Sequence, residues 1–129
     1  MAGHKLFFKQ FVQFLNTTDE NLAQQLINPQ AIFYVSHQVE TFEGPKGYLT
    51  IIEKIKNHFS ELHWRIEEIN SEKDKYYIRF SICNLKEGDE TVPVSSVNIY
   101  RLANNQIIEG YENSLSNILQ QTELHQFTK

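Results

Sequence analysis

Apolar residues near the start of the chain recur at three- and four-residue steps. Between Lys5 and Leu15 they include four phenylalanines, and their spacing predicts an amphipathic helix with a wide apolar face. Asn16-Thr17-Thr18 ends this helix. Thr18 then offers a hydroxyl cap, and Asp19 and Glu20 supply first-turn acids for a short second helix, which Asn28-Pro29 stops near Ile27.

A strand and a third helix are predicted before the middle of the chain. Ala31 to Val35 is rich in β-branched and aromatic residues, which favours a strand, and the chain from Ser36 to Phe42 continues extended or as a loop. Gly44-Pro45-Lys46-Gly47 predicts a turn. A helix is expected from Tyr48 to Phe59, because Ile52, Ile55 and other apolar residues fall on one side of it.

After the third helix the apolar period changes to two residues, which is typical of β-strands. The predicted strands are His63 to Ile69, Tyr76 to Cys83, Val92 to Leu102 and Ile107 to Ser114. Polar turns are predicted between them at Ser71 to Asp74, Lys86 to Asp89 and Asn104-Asn105, so we expect consecutive antiparallel pairing. A last short helix, Leu115 to Gln121, is predicted before a polar tail.

This order of elements predicts the fold class. Helices come first and strands later, which favours α+β over a parallel α/β arrangement. We therefore expect a curved, mostly antiparallel sheet wrapped around the N-terminal and middle helices. The length of 129 residues suits a single domain, residues 1–129.

Composition narrows the function classes. The net charge is -4 and the basic residues are scattered, so no nucleic-acid partner is expected. Cys83 is the only cysteine, which excludes an internal disulfide and a cysteine-based zinc site, and no histidine spacing suggests a metal. No cofactor motif is present, and no segment has the length of a membrane span or the pattern of a signal peptide. We expect a soluble, cytoplasmic protein.

The last predicted hairpin gives the sharpest hypothesis about chemistry. If Asn104-Asn105 is a two-residue loop, Ala103 opposes Gln106 and the register follows. One face then carries three cross-strand pairs: Tyr100 with Glu109, Asn98 with Tyr111, and Ser96 with Asn113. Polar groups between aromatic rings are typical of small-molecule pockets, and a carboxylate beside tyrosines can act as a general acid or base. The alternative is a wet dimer interface or a solvated sheet face.

His37 is the second candidate for proton transfer. It follows Phe33 and Val35 at two-residue steps, which places it on an otherwise apolar side. The alternative is a hydrogen-bonded structural histidine in a loop.

Several segments together resemble a known family. The run Gly44 to Tyr48, the helix ending His58-Phe59-Ser60-Glu61-Leu62, and Trp64-Arg65-Ile66-Glu67 resemble the middle of SnoaL-like domains. Val97 to Leu102, the Asn-Asn turn, and Gln106 to Glu112 resemble the final hairpin of that family. These domains belong to the nuclear transport factor 2-like superfamily of cone-shaped α+β barrels.

The resemblance implies a pocket between sheet and helices, and a homodimer formed through the outer sheet face. Glu109 and His37 are then the expected catalytic residues, and the expected ligand-binding residues are Ser96, Asn98, Tyr100, Tyr111 and Trp64. Polyketide-cyclase members place an acid/base Asp at the position of Leu115, which cannot exchange a proton. The mechanism of those cyclases is therefore not expected here. We expect a pocket for a small apolar carbonyl compound, with or without isomerase, cyclase or dehydratase chemistry. The alternative is a non-catalytic dimeric binding or protein-interaction module that retains the fold.

Overall fold

Helices cover one side of the sheet in this computed structural model, which describes residues 2–36, 38–58, 61–84 and 94–114. Helix α1 spans Ala2–Thr17, α2 spans Glu20–Leu26 and α3 spans Gly44–His58. The cap of α2 is Asp19, whose carboxylate accepts hydrogen bonds from the amides of Asn21 and Leu22. The predicted Thr18 cap is wrong, because Thr18 takes a left-handed backbone conformation with φ 55° at the end of α1.

Within the residues that the structure describes, six strands form one open, curved sheet. They are β1 (Ile27–Val35), β2 (Thr41–Glu43), β3 (Leu62–Glu72), β4 (Lys75–Asn84), β5 (Val94–Ala103) and β6 (Gln106–Glu112). The order across the sheet is β2-β1-β6-β5-β4-β3, and only the β1–β6 pair is parallel. The predicted α+β class, the mostly antiparallel sheet and the consecutive pairing of the last four strands are confirmed.

Two tight turns connect consecutive strands among β3 to β6. Lys73-Asp74 joins β3 to β4, and Asn104-Asn105 joins β5 to β6. Lys73 has φ 58°, and Asn104 and Asn105 have φ 53° and 62°. In the Asn104-Asn105 turn, positive φ at both central residues matches the twist of a two-residue hairpin, and asparagine tolerates that conformation well. The predicted Asn-Asn loop is confirmed.

In the first half of the chain, Pro29 and Gly44 do not mark the element boundaries predicted from them. Strand β1 begins at Ile27 and contains Pro29, which is tolerated because the pairing with β6 is irregular between Ile27 and Ile32. Gly44 is the first residue of α3 rather than part of a separate turn. Its φ is +69°, and a Cβ there would lie 2.8 Å from the carbonyl oxygen of Pro29. Pro45 is compatible with the first helical turn.

The core lies between the helices and the concave side of the sheet, which we call the inner face. Aromatic residues of α1 and isoleucines of α3 are buried against this face; the largest buried side chains include Trp64, Tyr48, Tyr100, Phe8, Phe11, Phe14, Phe33 and Phe80. The ring of Tyr48 contacts those of Phe33 and Phe11, with centroid distances of 4.7 Å and 5.6 Å. The chain's own rings therefore fill this part of the interior.

None of the helices in the described ranges combines the length and the apolar character needed to cross a bilayer. The predicted final helix, Leu115 to Gln121, and the predicted turn Lys86 to Asp89 lie outside the described residues.

Candidate functional site

The β5–β6 hairpin contains a bulge close to its turn. Ala103 opposes Gln106 and Leu102 opposes Ile107, as predicted, but Arg101 then opposes Glu109. Ile108 is therefore the extra residue on β6. Because side chains alternate between faces, one inserted residue reverses the facing of everything beyond it.

The predicted register is consequently wrong beyond Leu102. Tyr100 opposes Gly110 rather than Glu109, and Ile99 opposes Tyr111. Glu109 and Tyr111 therefore do not share a face with Tyr100 and Asn98. Glu109 Oε1 lies 3.7 Å from Arg101 Nη1, and Tyr111 is 41% exposed on the outer face of the sheet.

Close packing at Gly110 accounts for this register. A Cβ at Gly110 would lie 2.6 Å from Cδ1 of Phe33 and 3.1 Å from Cδ1 of Tyr100. Only glycine leaves room for the Phe33 ring, so the sheet forms with Gly110 on the inner face. A glycine inside a strand signals a bulge or a close approach, and this signal would have exposed the register error.

The bulge brings the carboxyl group of Glu112 onto the inner face. Tyr100 Oη donates to Glu112 Oε1 over 2.6 Å, and Asn98 Nδ2 donates to Glu112 Oε2 over 2.6 Å. Glu112 is only 3% exposed. Each carboxylate oxygen thus accepts one short hydrogen bond from β5, and short bonds to an ionised acceptor are the strong ones.

Helix α3 contributes a second tyrosine to the site. The hydroxyl groups of Tyr48 and Tyr100 are 3.0 Å apart. Because the single hydroxyl proton of Tyr100 is directed to Glu112, Tyr48 is the donor in this pair when Glu112 is ionised. Tyr48 on α3 then donates to Tyr100 on β5, which donates to Glu112 on β6.

Burial shifts the titration of all three groups. Desolvation raises the pKa of Glu112 to about 7, although the hydroxyl groups of Tyr100 and Tyr48 act in the opposite direction. The pKa of Tyr48 and that of Tyr100 are raised well above the usual tyrosine value, first by burial and then by the charge of Glu112. At neutral pH the site therefore holds protonated tyrosines around a carboxyl group near its titration midpoint.

Two serines extend the polar group along the inner face. Asn98 Nδ2 lies 3.2 Å from Ser114 Oγ, and Ser114 Oγ donates to Ser96 Oγ over 3.3 Å. In the ranges that the structure describes, every buried side-chain nitrogen or oxygen has a hydrogen-bond partner. We call the six residues Tyr48, Ser96, Asn98, Tyr100, Glu112 and Ser114 the inner polar cluster.

The structure brings together three of the predicted site residues: Ser96, Asn98 and Tyr100. Trp64 lies on the inner face of the edge strand β3, is 1% exposed, and exchanges backbone hydrogen bonds with the Asn16 side chain. His37 lies outside the described residues.

Tyr48, Glu112 and Ser114 were missed as site residues. Tyr48 was placed at the start of the predicted third helix, but nothing in the sequence indicated that it contacts β5. The predicted register places Glu109, Tyr111 and Asn113 on the same face as Tyr100, so the alternation of side chains turns Glu112 and Ser114 to the other face when the bulge is not included. Within the described ranges no three His, Cys, Asp or Glu side chains are arranged to hold a metal ion.

A model of the SnoaL-like domain matches residues 8–110, most of the chain. This chain belongs to the SnoaL-like domain family. The match confirms the resemblance seen in the central helix and the final hairpin. No curated protein matches the chain.

Solved structures with this SnoaL-like fold are similar at low sequence identity. A proposed isomerase of the SnoaL-like family from Agrobacterium tumefaciens superposes with TM-score 0.70 and 14% identity, covering 86% of this chain and 96% of that one. Wild-type IdmH, a proposed polyketide cyclase from Streptomyces antibioticus, gives TM-score 0.65 and 16% identity, with 83% and 88% covered. An NTF2-like protein from Cytophaga hutchinsonii gives 0.59 and 18%, with 81% and 83% covered. At these identities the likeness establishes the fold alone.

Proposed function

We propose that this SnoaL-like domain binds a small, largely apolar carbonyl compound on the inner face and that Glu112 exchanges a proton with it. The observation that carries the proposal is the buried Glu112 carboxyl, whose pKa is raised to about 7. A group that titrates near the working pH is suited to both removing and returning a proton. The family relatives described as proposed cyclases and isomerases support the same reaction class.

The geometry around Glu112 supports a base with spare acceptor capacity. A carboxylate offers about four acceptor positions, and direct hydrogen bonds from Tyr100 and Asn98 occupy one on each oxygen. The tyrosine hydroxyl holds the carboxylate in a fixed orientation. An acceptor position therefore remains for a substrate proton.

The reaction would proceed through an enolate. Ionised Glu112 removes a proton from the carbon next to the carbonyl, and the C–H electron pair forms a C=C bond as the carbonyl oxygen becomes negative. The donors for that oxygen would be the Nδ2 amide of Asn98 and the hydroxyl of Ser114. Each would exchange a present hydrogen bond, to Tyr100 Oη and to Ser96 Oγ respectively, for one to the substrate. If the substrate carries a β,γ C=C bond, the enolate is conjugated with it. The new carboxylic acid then returns the proton to the γ-carbon, the C=C bond moves to the α,β position, and the isomerisation is complete.

The position of the ligand follows from what already fills the interior. The rings of Phe8 and Phe11 pack against Tyr100 on the side of α1, at centroid distances of 6.4 Å and 5.2 Å. That side has no room for a guest molecule. We therefore place the ligand on the opposite side of the inner polar cluster, toward Ser96 and Ser114.

Proton exchange with simple ketones tests this function. Wild-type protein should accelerate the exchange of α-protons of cyclohexanone or 2-decalone for deuterium, and Glu112→Gln should abolish the acceleration. Glu109→Gln is the matched control, because Glu109 lies on the outer face beside Arg101. Equal rates for wild type and Glu112→Gln, or no acceleration by wild type, would overturn the catalytic proposal.

A non-catalytic binding or interaction module is the second candidate. It is favoured by the ring-filled interior around Tyr48 and by the complete hydrogen bonding of the inner polar cluster. In that case Glu112 is a structural group. Glu112→Leu should destabilise the fold, because Tyr100 and Asn98 lose their buried acceptor, whereas Glu112→Gln keeps an acceptor oxygen and should retain most of the stability. A stable Glu112→Gln variant, together with no acceleration of proton exchange by the wild type, supports this second candidate.

We also propose that the chain forms a homodimer through the outer face of the sheet. The exposed rings of Tyr34 and Tyr111 stack there, with centroids 5.0 Å apart, and Val97 is 43% exposed on the neighbouring strand. Large apolar side chains grouped on one exposed surface are typical of protein interfaces.

Sedimentation measures this association directly. Val97→Glu should convert a dimer to a monomer, because it would bury a charge without a partner at the interface. Val39→Glu is the control, since Val39 is fully exposed and lies outside the sheet. A monomeric wild type, or a dimer that survives Val97→Glu, would refute the outer-face interface.

A further inference from the structure

A cleft lies at the hairpin end of the molecule, away from the inner polar cluster. It has a volume of about 530 Å³ and lies between α1, α2 and the β5–β6 turn. Its lining residues are Leu6, Phe7, Gln10, Gln25, Leu26, Asn104, Asn105 and Gln106. The volume falls within the range of about 300–1,000 Å³ usual for small-molecule sites.

We call this site the amide cleft, because carboxamide side chains dominate its lining. The lining carries no charge, although charged residues make up 22% of the chain. Five of its eight side chains are carboxamides, and they come from α1, α2, the hairpin turn and β6. Gln106 is held in place, because Asn28 Nδ2 donates to its Oε1 over 3.2 Å and its Nε2 donates to the carbonyl of Gln25. One carboxamide of the cleft, that of Gln106, is therefore held by hydrogen bonds, and the other four can adjust to a ligand.

Four carboxamides remain available for a ligand. Among the described residues, the side chains of Gln10, Gln25, Asn104 and Asn105 have no hydrogen-bond partner. Each carboxamide offers two donors and an acceptor oxygen. This pattern suits hydroxyl groups, which both donate and accept, and the exposed Leu6 adds an apolar surface to the cleft.

We propose that the amide cleft binds a neutral saccharide of one or two rings. A charged ligand would meet no opposite charge there to offset its desolvation. A peptide strand would find no free sheet edge, because β6 lies between β1 and β5. A sugar ring combines hydroxyl groups with a hydrocarbon face, which matches amides arranged around an apolar surface.

Side-chain amide resonances in ¹⁵N-labelled protein report on this site. Titration with maltose, cellobiose and N,N′-diacetylchitobiose should shift the amide signals of Gln10, Gln25, Asn104 and Asn105 saturably with at least one sugar. Glucuronate, compared with glucose, should shift them much less because its carboxylate has no partner. A short uncharged peptide, N-acetyl-trialanine amide, should leave them unchanged.

Two substitutions localise the binding. Gln10→Ala and Gln25→Ala should each weaken it about fivefold, which corresponds to one hydrogen bond. Gln24→Ala is the matched control, because Gln24 is also exposed on α2 but does not line the cleft. Alanine favours helices, so all three variants should fold.

The proposal is overturned by any of three results. The first is the absence of saturable shifts at about 50 mM sugar, since any binding would then be very weak. The second is equal sugar affinity in Gln25→Ala and wild type. The third is stronger binding of the peptide than of any sugar.

Discussion

The hydroxyl of Tyr100 donates a 2.6 Å hydrogen bond to the buried carboxyl of Glu112 across β5 and β6. This contact exists because Ile108 is an extra residue in the hairpin, which turns Glu112 inward. This hydrogen bond matters for the proposed chemistry, because it holds the Glu112 carboxylate in one orientation and limits the rise in the pKa of Glu112.

Stability should fall as pH rises through the titration range of Glu112. Its pKa is about 7 in the folded protein and about 4.5 without burial, so between these values the folded state binds more protons than the unfolded state. The free energy of unfolding should therefore drop by about 3 kcal/mol from about pH 4.5 to about pH 7 and then level off. Urea denaturation of wild type and Glu112→Gln measures the difference; Glu112→Gln should lack this component. Identical pH profiles for the two proteins would contradict the assignment.

Removing the Tyr100 hydroxyl should destabilise the fold, and more so when Glu112 is ionised. Tyr100→Phe removes the donor to Glu112 Oε1, one acceptor of Asn98 Nδ2 and the hydroxyl that faces Tyr48, at a cost of about 1–3 kcal/mol. Denaturation at about pH 8 should show a larger loss than at about pH 5. Tyr34→Phe, on the outer face, is the control and should stay within about 0.5 kcal/mol of wild type. A loss independent of pH would separate Tyr100 from the charge on Glu112.

Gly110→Ala should destabilise the protein by about 1–3 kcal/mol through overpacking. Its Cβ would lie 2.6 Å from the Phe33 ring, which has to move. Phe33→Leu makes space, so the double variant should lose less than the sum of the two single losses. A double-mutant cycle measures this coupling. Additive losses would show that Phe33 does not set the register at Gly110.

The Asp19 cap should contribute about 1 kcal/mol. Asp19→Ala removes the acceptor for the amides of Asn21 and Leu22, whereas Asp19→Asn keeps a side-chain oxygen in place. Chemical denaturation should show a loss for alanine and little change for asparagine. Equal losses in both variants would mean that the charge, and not the cap, matters.

Most of the fold could be predicted because helix, strand and turn signals depend on residues that are close together in the sequence. The two-residue apolar period after the third helix and the Asn104-Asn105 turn led to the correct strands and hairpin. The same patterns did not reveal that Pro29 lies inside β1, since its tolerance depends on an irregular pairing with β6.

The site was predicted only in part, for a physical reason. A register deduced from the turn holds until a bulge occurs, and this bulge depends on Phe33 packing over Gly110 from another strand. Ser96, Asn98 and Tyr100 were identified because they lie on β5, which has no inserted residue at the bulge and keeps its alternation from Leu102. Glu112 on β6 was not, because a one-residue insertion changes its face. Tyr48 reaches the site through helix packing, which no spacing in the sequence encodes.

The most direct test is the titration of Glu112 itself. Carbon-detected NMR of ¹³C-labelled protein, with Glu112→Gln used to assign the resonance, reports the midpoint of its carboxyl group. A midpoint near 7 is expected from burial on the inner face. A midpoint between about 4 and 5, the range of an exposed glutamate, would contradict both the buried position and the proposed proton exchange.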